Sequence, residues 1–179
     1  MNKAVFLDRD GVINRKAAPG SYITSWESFE FLPEVAEAVA LINEAGYQAI
    51  VVTNQRCVAK GLVTTTDLDA IHQRMCAELA RLGATIDAVY YCPHEIEAGC
   101  ACRKPAPGLL LSAARDCDID LARSWMIGDS EIDAASGKAA GCSTIRLMDG
   151  RGDTTNADLT ARSLLAAIQQ IVKFETVAA

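Results

Sequence analysis

Short apolar runs alternate along the chain with longer segments in which apolar residues recur every three or four positions. Short runs of this kind predict buried β-strands, and the longer period predicts amphipathic helices. The predicted strands are Ala4–Leu7, Gln48–Thr53, Ala88–Cys92, Ser124–Ile127 and Thr144–Leu147. The predicted helices are Glu34–Ala45, Thr66–Leu82, Gly108–Asp116, Glu131–Ala140 and a last one near Ala161–Lys173.

Strands that alternate with helices are typical of a parallel α/β sheet. The strands are apolar along their whole length, as expected when helices cover both faces of the sheet. We therefore predict a Rossmann-like α/β fold, a three-layer sandwich around a central parallel sheet. Expected elements fill the intervals between the polar motifs, so residues 1–179 are predicted to form one domain without a separate cap domain. The polar segment Asp149–Asn156 predicts a surface loop.

The overall charge restricts the partners that the chain can bind. The 179 residues carry a formal net charge of −6 and contain no run of Lys and Arg. General nucleic-acid binding is therefore not expected, whereas a small anion needs only a few local cations. No apolar stretch is long enough to cross a bilayer, and the first strand leaves no room for a signal peptide. We expect a cytoplasmic monomer with no membrane partner.

Polar motifs stand where predicted strands end. Asp8-Arg9-Asp10-Gly11 follows the first strand, Thr53-Asn54 the second, and Gly128-Asp129 the fourth, while Arg103-Lys104 precedes two prolines. Each motif alone has an ordinary explanation: a turn, a loop start, an exposed basic pair or acids at a helix N-terminus. Their shared position is more informative, because ligands of such sheets bind at the carboxyl ends of the strands.

Taken together, the motifs describe a site for phosphoryl transfer. A carboxylate repels a phosphate monoester, so a cation has to bridge the two. Asp8 and Asp129 offer hard oxygen ligands for Mg²⁺, and Thr53 and Lys104 are suited to stabilise the phosphate oxygens. The sequence therefore predicts a magnesium-dependent site for phosphoryl transfer.

A second cluster lies between the third strand and the Arg-Lys pair. Cys92, His94, Cys100 and Cys102 form a closed set of three thiols and one imidazole, which is typical of structural Zn²⁺; reduced, unliganded cysteines are the alternative. We call residues 92–102 the zinc loop, since bound zinc would fix the loop that presents Arg103 and Lys104. The remaining cysteines are interpreted as small apolar residues, and His72 as an ordinary helix residue.

The order of these motifs resembles the haloacid dehalogenase superfamily. The resemblance implies that Asp8 is the nucleophile and becomes an aspartyl-phosphate. It also implies that Asp10 is the general acid/base and binds the metal through its backbone carbonyl, and that Asp133 orients the motif lysine. The other motif positions are matched by Thr53, Lys104 and the metal ligand Asp129.

Four segments resemble more specifically the sugar-bisphosphate phosphatases of this superfamily that remove the 7-phosphate of D-glycero-D-manno-heptose 1,7-bisphosphate during lipopolysaccharide heptose synthesis. The segments are Asp8–Asn14, Phe29–Pro33, Tyr90–His94 and Cys102–Pro105. This resemblance implies a small phosphorylated sugar as the substrate. The positions implied in substrate binding are Asn54, Gln55, Arg103 and Tyr22.

One segment departs from that pattern. Arg56-Cys57 follows Gln55 where the family usually has Ser-Gly, which places a large cation beside the predicted pocket. The departure concerns the choice of substrate and leaves the phosphatase chemistry unaffected. Two alternatives stay open: a histidinol-phosphate phosphatase, which resembles the chain in both its catalytic and its zinc motifs, and a non-catalytic sugar-phosphate-binding module stabilised by zinc.

Overall fold

The computed structural model describes residues 1–148 and 154–178. Its central sheet is parallel throughout, with the strand order β3-β2-β1-β4-β5-β6. The strands are β1 (Ala4–Leu7), β2 (Gln48–Asn54), β3 (Ala88–Cys92), β4 (Trp125–Gly128), β5 (Ser143–Leu147) and β6 (Leu159–Ala161). The predicted α/β fold with a central parallel sheet is confirmed.

Helices cover both faces of this sheet. They are α1 (Val35–Glu44), α2 (Thr65–Arg81), α3 (Gly108–Asp116), α4 (Glu131–Ala140) and α5 (Leu164–Ala178). Residues of α1, α2 and α5 share one buried apolar cluster with β1, and α3 contributes to a second cluster that contains Phe6, Ile50 and Met126. Alternate side chains of a strand point to opposite faces, so both clusters draw on the same strands. In the described residues α1, α3, α4 and α5 contact strands of the sheet directly, α2 joins it through the first apolar cluster, and no separate cap domain is present.

The predicted and observed elements differ mainly near the C-terminus. The strand β6 was not predicted, because three residues are too few to show a period. The last helix begins at Leu164 rather than Ala161, since Leu159–Ala161 pairs with β5 and Ser163 precedes the first turn. Of the predicted loop, 149–153 lies outside the described residues, and Thr154–Asn156 has no regular secondary structure.

The register of the strands determines which loops meet. Leu7, the last residue of β1, pairs with Val51 of β2 and with Ile127 of β4. The chain leaving β1 at Asp8 therefore enters the space between the ends of its two neighbouring strands. Ligand sites of doubly wound sheets form at such a position, where the strand order reverses.

None of the helices in residues 1–148 and 154–178 combines the length and the apolar composition that a bilayer crossing requires.

Candidate active site

Asp8 lies directly beyond β1 and is largely buried. The backbone amide of Arg9 donates to its Oδ1 at 2.8 Å, and Lys104 Nζ lies 2.9 Å from the same oxygen. Burial raises the pKa of Asp8 to about 6; Lys104 opposes this shift, while the neighbouring Asp133 and Asp10 add to it. A carboxylate that is incompletely neutralised by its surroundings is suited to receive a cation.

Lys104 is a buried cation between two acids. Its Nζ lies 2.9 Å from Asp8, 2.6 Å from Asp133 Oδ1, and donates to the carbonyl of Val52 at 2.8 Å. Burial disfavours its charge, but the two carboxylates outweigh that effect and raise the pKa of Lys104 above its usual value. The ammonium group is therefore charged and held beside the predicted nucleophile.

Asn54 fixes the backbone of Lys104. Its Nδ2 donates to the Lys104 carbonyl at 3.0 Å, and its Oδ1 accepts from the Lys104 amide at 3.1 Å. The carboxamide thus makes a two-way bridge from the end of β2 to the loop before α3. This residue, predicted to bind substrate, has its polar atoms directed at Lys104.

Asp133 belongs to the capping box at the start of α4. Its Oδ2 accepts from the Ser130 amide at 3.2 Å and from the Ser130 hydroxyl, while its Oδ1 faces Lys104. The backbone at Gly128 comes so close that a Cβ there would overlap the Asp133 side chain. Both carboxylate oxygens are therefore engaged by protein groups, and the geometry suits a residue that orients Lys104.

Asp10 receives hydrogen bonds at both carboxylate oxygens. Arg9 Nη2 lies 3.0 Å from Oδ1 and 3.1 Å from Oδ2, Asn14 Nδ2 donates to Oδ1 at 2.9 Å, and Gln55 Nε2 donates to Oδ2 at 2.8 Å. Burial alone would raise the pKa of Asp10, but the charge of Arg9 and these hydrogen bonds outweigh it and lower the pKa. The surroundings thus favour the carboxylate form.

Three carboxylates could hold a metal ion. Oxygens of Asp8, Asp129 and Asp133 all lie within 4.8 Å of one another. Asp129 Oδ1 is buried without a hydrogen-bond partner among the described residues, and its Oδ2 lies 2.5 Å from Lys16 Nζ. Burial raises the pKa of Asp129, an effect that Lys16 partly offsets. Buried anionic oxygens in need of a positive partner fit a hard cation such as Mg²⁺.

Gly11 allows the motif loop to approach these acids. Its φ is +95°, a conformation that residues with a side chain rarely adopt, and a Cβ there would overlap the Asp129 carboxylate. The glycine of the first motif is therefore required by the backbone conformation and by the closeness of the Asp129 carboxylate.

The Cys/His cluster is closely packed. Five of the six separations between its ligand atoms run from 3.2 Å, for His94 Nδ1 and Cys102 Sγ, to 3.6 Å, for Cys92 Sγ and Cys100 Sγ, and all four atoms lie within 4.8 Å of one another. A tetrahedral zinc site with bonds of about 2.0–2.3 Å has edges of about 3.5–3.8 Å. The four atoms are therefore already close to the arrangement that one zinc ion needs.

The other predicted substrate-binding residues are placed differently. Gln55 is buried, and its Nε2 donates to Asp10 and, at 3.0 Å, to Thr53 Oγ1. Tyr22 packs against the small apolar cluster that contains Cys57. Arg103 is partly exposed, and its Nη1 donates to the His94 carbonyl at 3.3 Å. Gln55 thus links Thr53 to Asp10, while Arg103 lies in the zinc loop region next to Lys104.

Several residues that contact the predicted catalytic groups were not predicted from the sequence. Arg9 and Asn14 are buried and hold Asp10, and Lys16 reaches Asp129. His72 was interpreted as an ordinary helix residue, yet it is buried with its Nε2 3.0 Å from Arg9 Nη1. One signal was available: His72 falls on the apolar stripe of its helix, where a polar residue needs a partner.

Comparisons with known proteins agree with this arrangement. A HAD-hydrolase-like family model, that is, haloacid dehalogenase-like, matches residues 101–170. A D-glycero-β-D-manno-heptose-1,7-bisphosphate 7-phosphatase from Bordetella bronchiseptica is 39% identical over 87% of this chain and 86% of its own. The α-anomer phosphatase from Burkholderia mallei is 36% identical over 98% of this chain and 94% of its own.

Solved structures that resemble this chain include a phosphatase of the same kind. The D,D-heptose 1,7-bisphosphate phosphatase from B. bronchiseptica, crystallised with magnesium and phosphate, superposes with a TM-score of 0.87 at 35% identity. The match covers 96% of this chain and 99% of that chain. The protein is a phosphoric monoester hydrolase of the haloacid dehalogenase type. Within that class, the chain belongs to the family of heptose-1,7-bisphosphate 7-phosphatases.

Proposed function

We propose that this enzyme removes the 7-phosphate from D-glycero-D-manno-heptose 1,7-bisphosphate in a magnesium-dependent reaction. The observation that carries the proposal is the position of Asp8, with Lys104 Nζ 2.9 Å away and an Asp129 carboxylate oxygen within 4.8 Å. Identity of 35–41% to enzymes named for this activity supports the choice of substrate.

In the first step we assign Asp8 as the nucleophile. A carboxylate oxygen of Asp8 forms a bond to phosphorus, and the bond from phosphorus to the sugar oxygen breaks. Asp10, once protonated, gives its proton to that leaving oxygen, so the sugar departs as an alcohol. Lys104 and Thr53 are assigned to the oxygens of the transferring group, where a fixed positive charge and a hydroxyl stabilise developing negative charge.

In the second step the aspartyl-phosphate is hydrolysed. A water oxygen attacks phosphorus while Asp10, now a carboxylate, accepts a water proton. The bond between phosphorus and the Asp8 oxygen breaks, which releases inorganic phosphate and restores both aspartates to their starting forms. The lowered pKa of Asp10 is consistent with its role as the base of this step.

The metal site is assigned to Asp8, Asp129 and the backbone carbonyl of Asp10. Bound Mg²⁺ would neutralise the repulsion between the nucleophile and the phosphate and fix their relative orientation. Asp133 is not assigned as a ligand, because Lys104 and Ser130 already engage both of its carboxylate oxygens.

Specificity for the sugar is assigned to the edge of the site. Arg103 is suited to contact the substrate, with Asn54, Gln55 and Tyr22 shaping the pocket around it. Arg56, the departure from the family pattern, directs its Nε toward Glu95 Oε2 at 3.2 Å. That ion pair draws the guanidinium toward the zinc loop, so the substitution is compatible with the family substrate.

Turnover of purified enzyme on several phosphate esters tests the proposed substrate. We expect kcat/KM for heptose 1,7-bisphosphate to exceed that for histidinol phosphate and fructose bisphosphate by at least about tenfold, a difference of about 1.4 kcal/mol. Both anomers of the heptose are assayed, because relatives named for each anomer resemble the chain. A preference for histidinol phosphate would contradict the proposal, and binding of sugar phosphate without turnover would favour the non-catalytic alternative.

We also propose that Cys92, His94, Cys100 and Cys102 bind a structural zinc ion. Cys100→Ser is expected to lower the zinc content well below one ion per chain and to reduce thermal stability, because one of four ligands is lost. Cys76→Ser is the matched control: it makes the same atomic change at a partly buried cysteine outside the cluster. Elemental analysis of reduced protein provides the measurement, and equal zinc content in both variants would argue against the site.

The remaining expectations stay predictions. We propose that residues 1–179 form one phosphatase domain, and the cytoplasmic location and the monomeric state are still to be tested. Light scattering of the purified chain measures the oligomeric state directly.

A further inference from the structure

His72 is a polar residue on the buried face of α2. It is 4% exposed, and its Nε2 lies 3.0 Å from Nη1 of Arg9. Its ring also lies beside that of Tyr91, with 5.5 Å between the ring centroids. The imidazole therefore sits between a core helix and the loop that carries both catalytic aspartates.

The hydrogen bond between Arg9 and His72 determines the tautomer of His72. A guanidinium group has only donors, so the imidazole Nε2 must be the acceptor, which places the ring proton on Nδ1. Burial, reinforced by the charge of Arg9, lowers the pKa of His72 to about 3. The ring is therefore a neutral acceptor at neutral pH.

Arg9 transmits this contact to Asp10. Its side chain is fully buried, with Nη1 on His72, Nη2 on both oxygens of Asp10, and Nε 3.4 Å from Asp10 Oδ1. A planar guanidinium held at two edges has little freedom to rotate. The direction of the Asp10 carboxylate therefore depends on an anchor that lies on a different element of the fold.

We propose that His72 is a positioning residue for the acid/base aspartate and acts through Arg9. This inference rests on the proposed role of Asp10. His72 holds Nη1 of the guanidinium while Nη2 reaches both oxygens of Asp10, so the contact to His72 keeps Arg9, and through it the Asp10 carboxylate, in one orientation.

Two substitutions test the acceptor role. His72→Leu removes the acceptor but keeps an apolar side chain, and we expect kcat to fall about tenfold with KM changed less than about twofold. His72→Gln can place its Oε1 near the former Nε2 position, and we expect it to recover kcat to within about threefold of the wild type.

A control separates positioning from general damage to the core. Met75→Ala, one turn further along α2, opens a cavity at a fully buried residue that has no polar role. We expect it to lower the melting temperature at least as much as His72→Leu but to leave kcat within about twofold. An equal loss of kcat in both variants would overturn the inference, as would wild-type kcat in His72→Leu. Either result leaves the proposed function intact, whereas absence of phosphatase activity in the wild type would refute that function itself.

Discussion

Asp8→Asn is expected to abolish turnover, with kcat reduced by about 10⁴-fold or more while the protein remains folded. The amide oxygen is a poor nucleophile, and without a carboxylate no aspartyl-phosphate can form. Steady-state assays and a search for labelled phosphoenzyme make the measurement. Asp118→Asn is the matched control, since it makes the same change at an exposed residue outside the site. Turnover retained in Asp8→Asn would refute the assigned nucleophile.

The same substitution is expected to stabilise the metal-free protein. The pKa of Asp8 is raised to about 6 in the folded state, against about 3.8 when unfolded, so its charge opposes folding at neutral pH. Removing that charge should raise the free energy of unfolding by about 1–3 kcal/mol above pH 6. The gain should shrink as the pH falls toward 4, because folded wild-type protein then takes up a proton. Chemical denaturation with EDTA at pH 7.5 and pH 4.5 would reveal this dependence.

Lys104→Met is expected to damage both stability and activity. It leaves the carboxylates of Asp8 and Asp133 close together without the cation that lies 2.9 Å and 2.6 Å from them. Removing one partner of a buried ion pair lowers the free energy of unfolding by about 3–5 kcal/mol, because the remaining charges are desolvated and unpaired. We also expect kcat to fall by about 10²–10³-fold, as for the loss of a fixed group that stabilises the transition state.

Lys138→Met is the matched control for that prediction. Lys138 also pairs with an acid, Asp158, at 3.1 Å, but both side chains are nearly half exposed. Solvent screens such pairs, so its loss should change the free energy of unfolding by less than about 1 kcal/mol and leave kcat unchanged. Urea denaturation and steady-state kinetics compare the two variants. Similar stability losses in both would show that Lys104 is not the buried bridge described above.

The sequence by itself determined the layout of the fold and the position of the site. Strands buried on both faces must be apolar along their length. The continuous apolar runs that contain Val51 and Ile127 therefore predicted the parallel sheet. Polar residues that directly follow such strands, above all Asp8 and Asp129, then had to meet at one edge. The strand β6 was not predicted, because three residues are too few to show a period. As a result, the last helix was predicted to begin near Ala161, whereas it begins at Leu164.

Only the tertiary structure decided how the groups around Asp10 are arranged. The contact between Arg9 and His72 joins residues 63 positions apart, and no local pattern specifies the distance between α2 and the loop after β1. Asn54 likewise donates a hydrogen bond to the backbone carbonyl of Lys104, a residue 50 positions further along the chain, and no local pattern predicts this contact. Sequence patterns report which face a residue occupies, whereas packing of distant elements decides which polar atom it meets there.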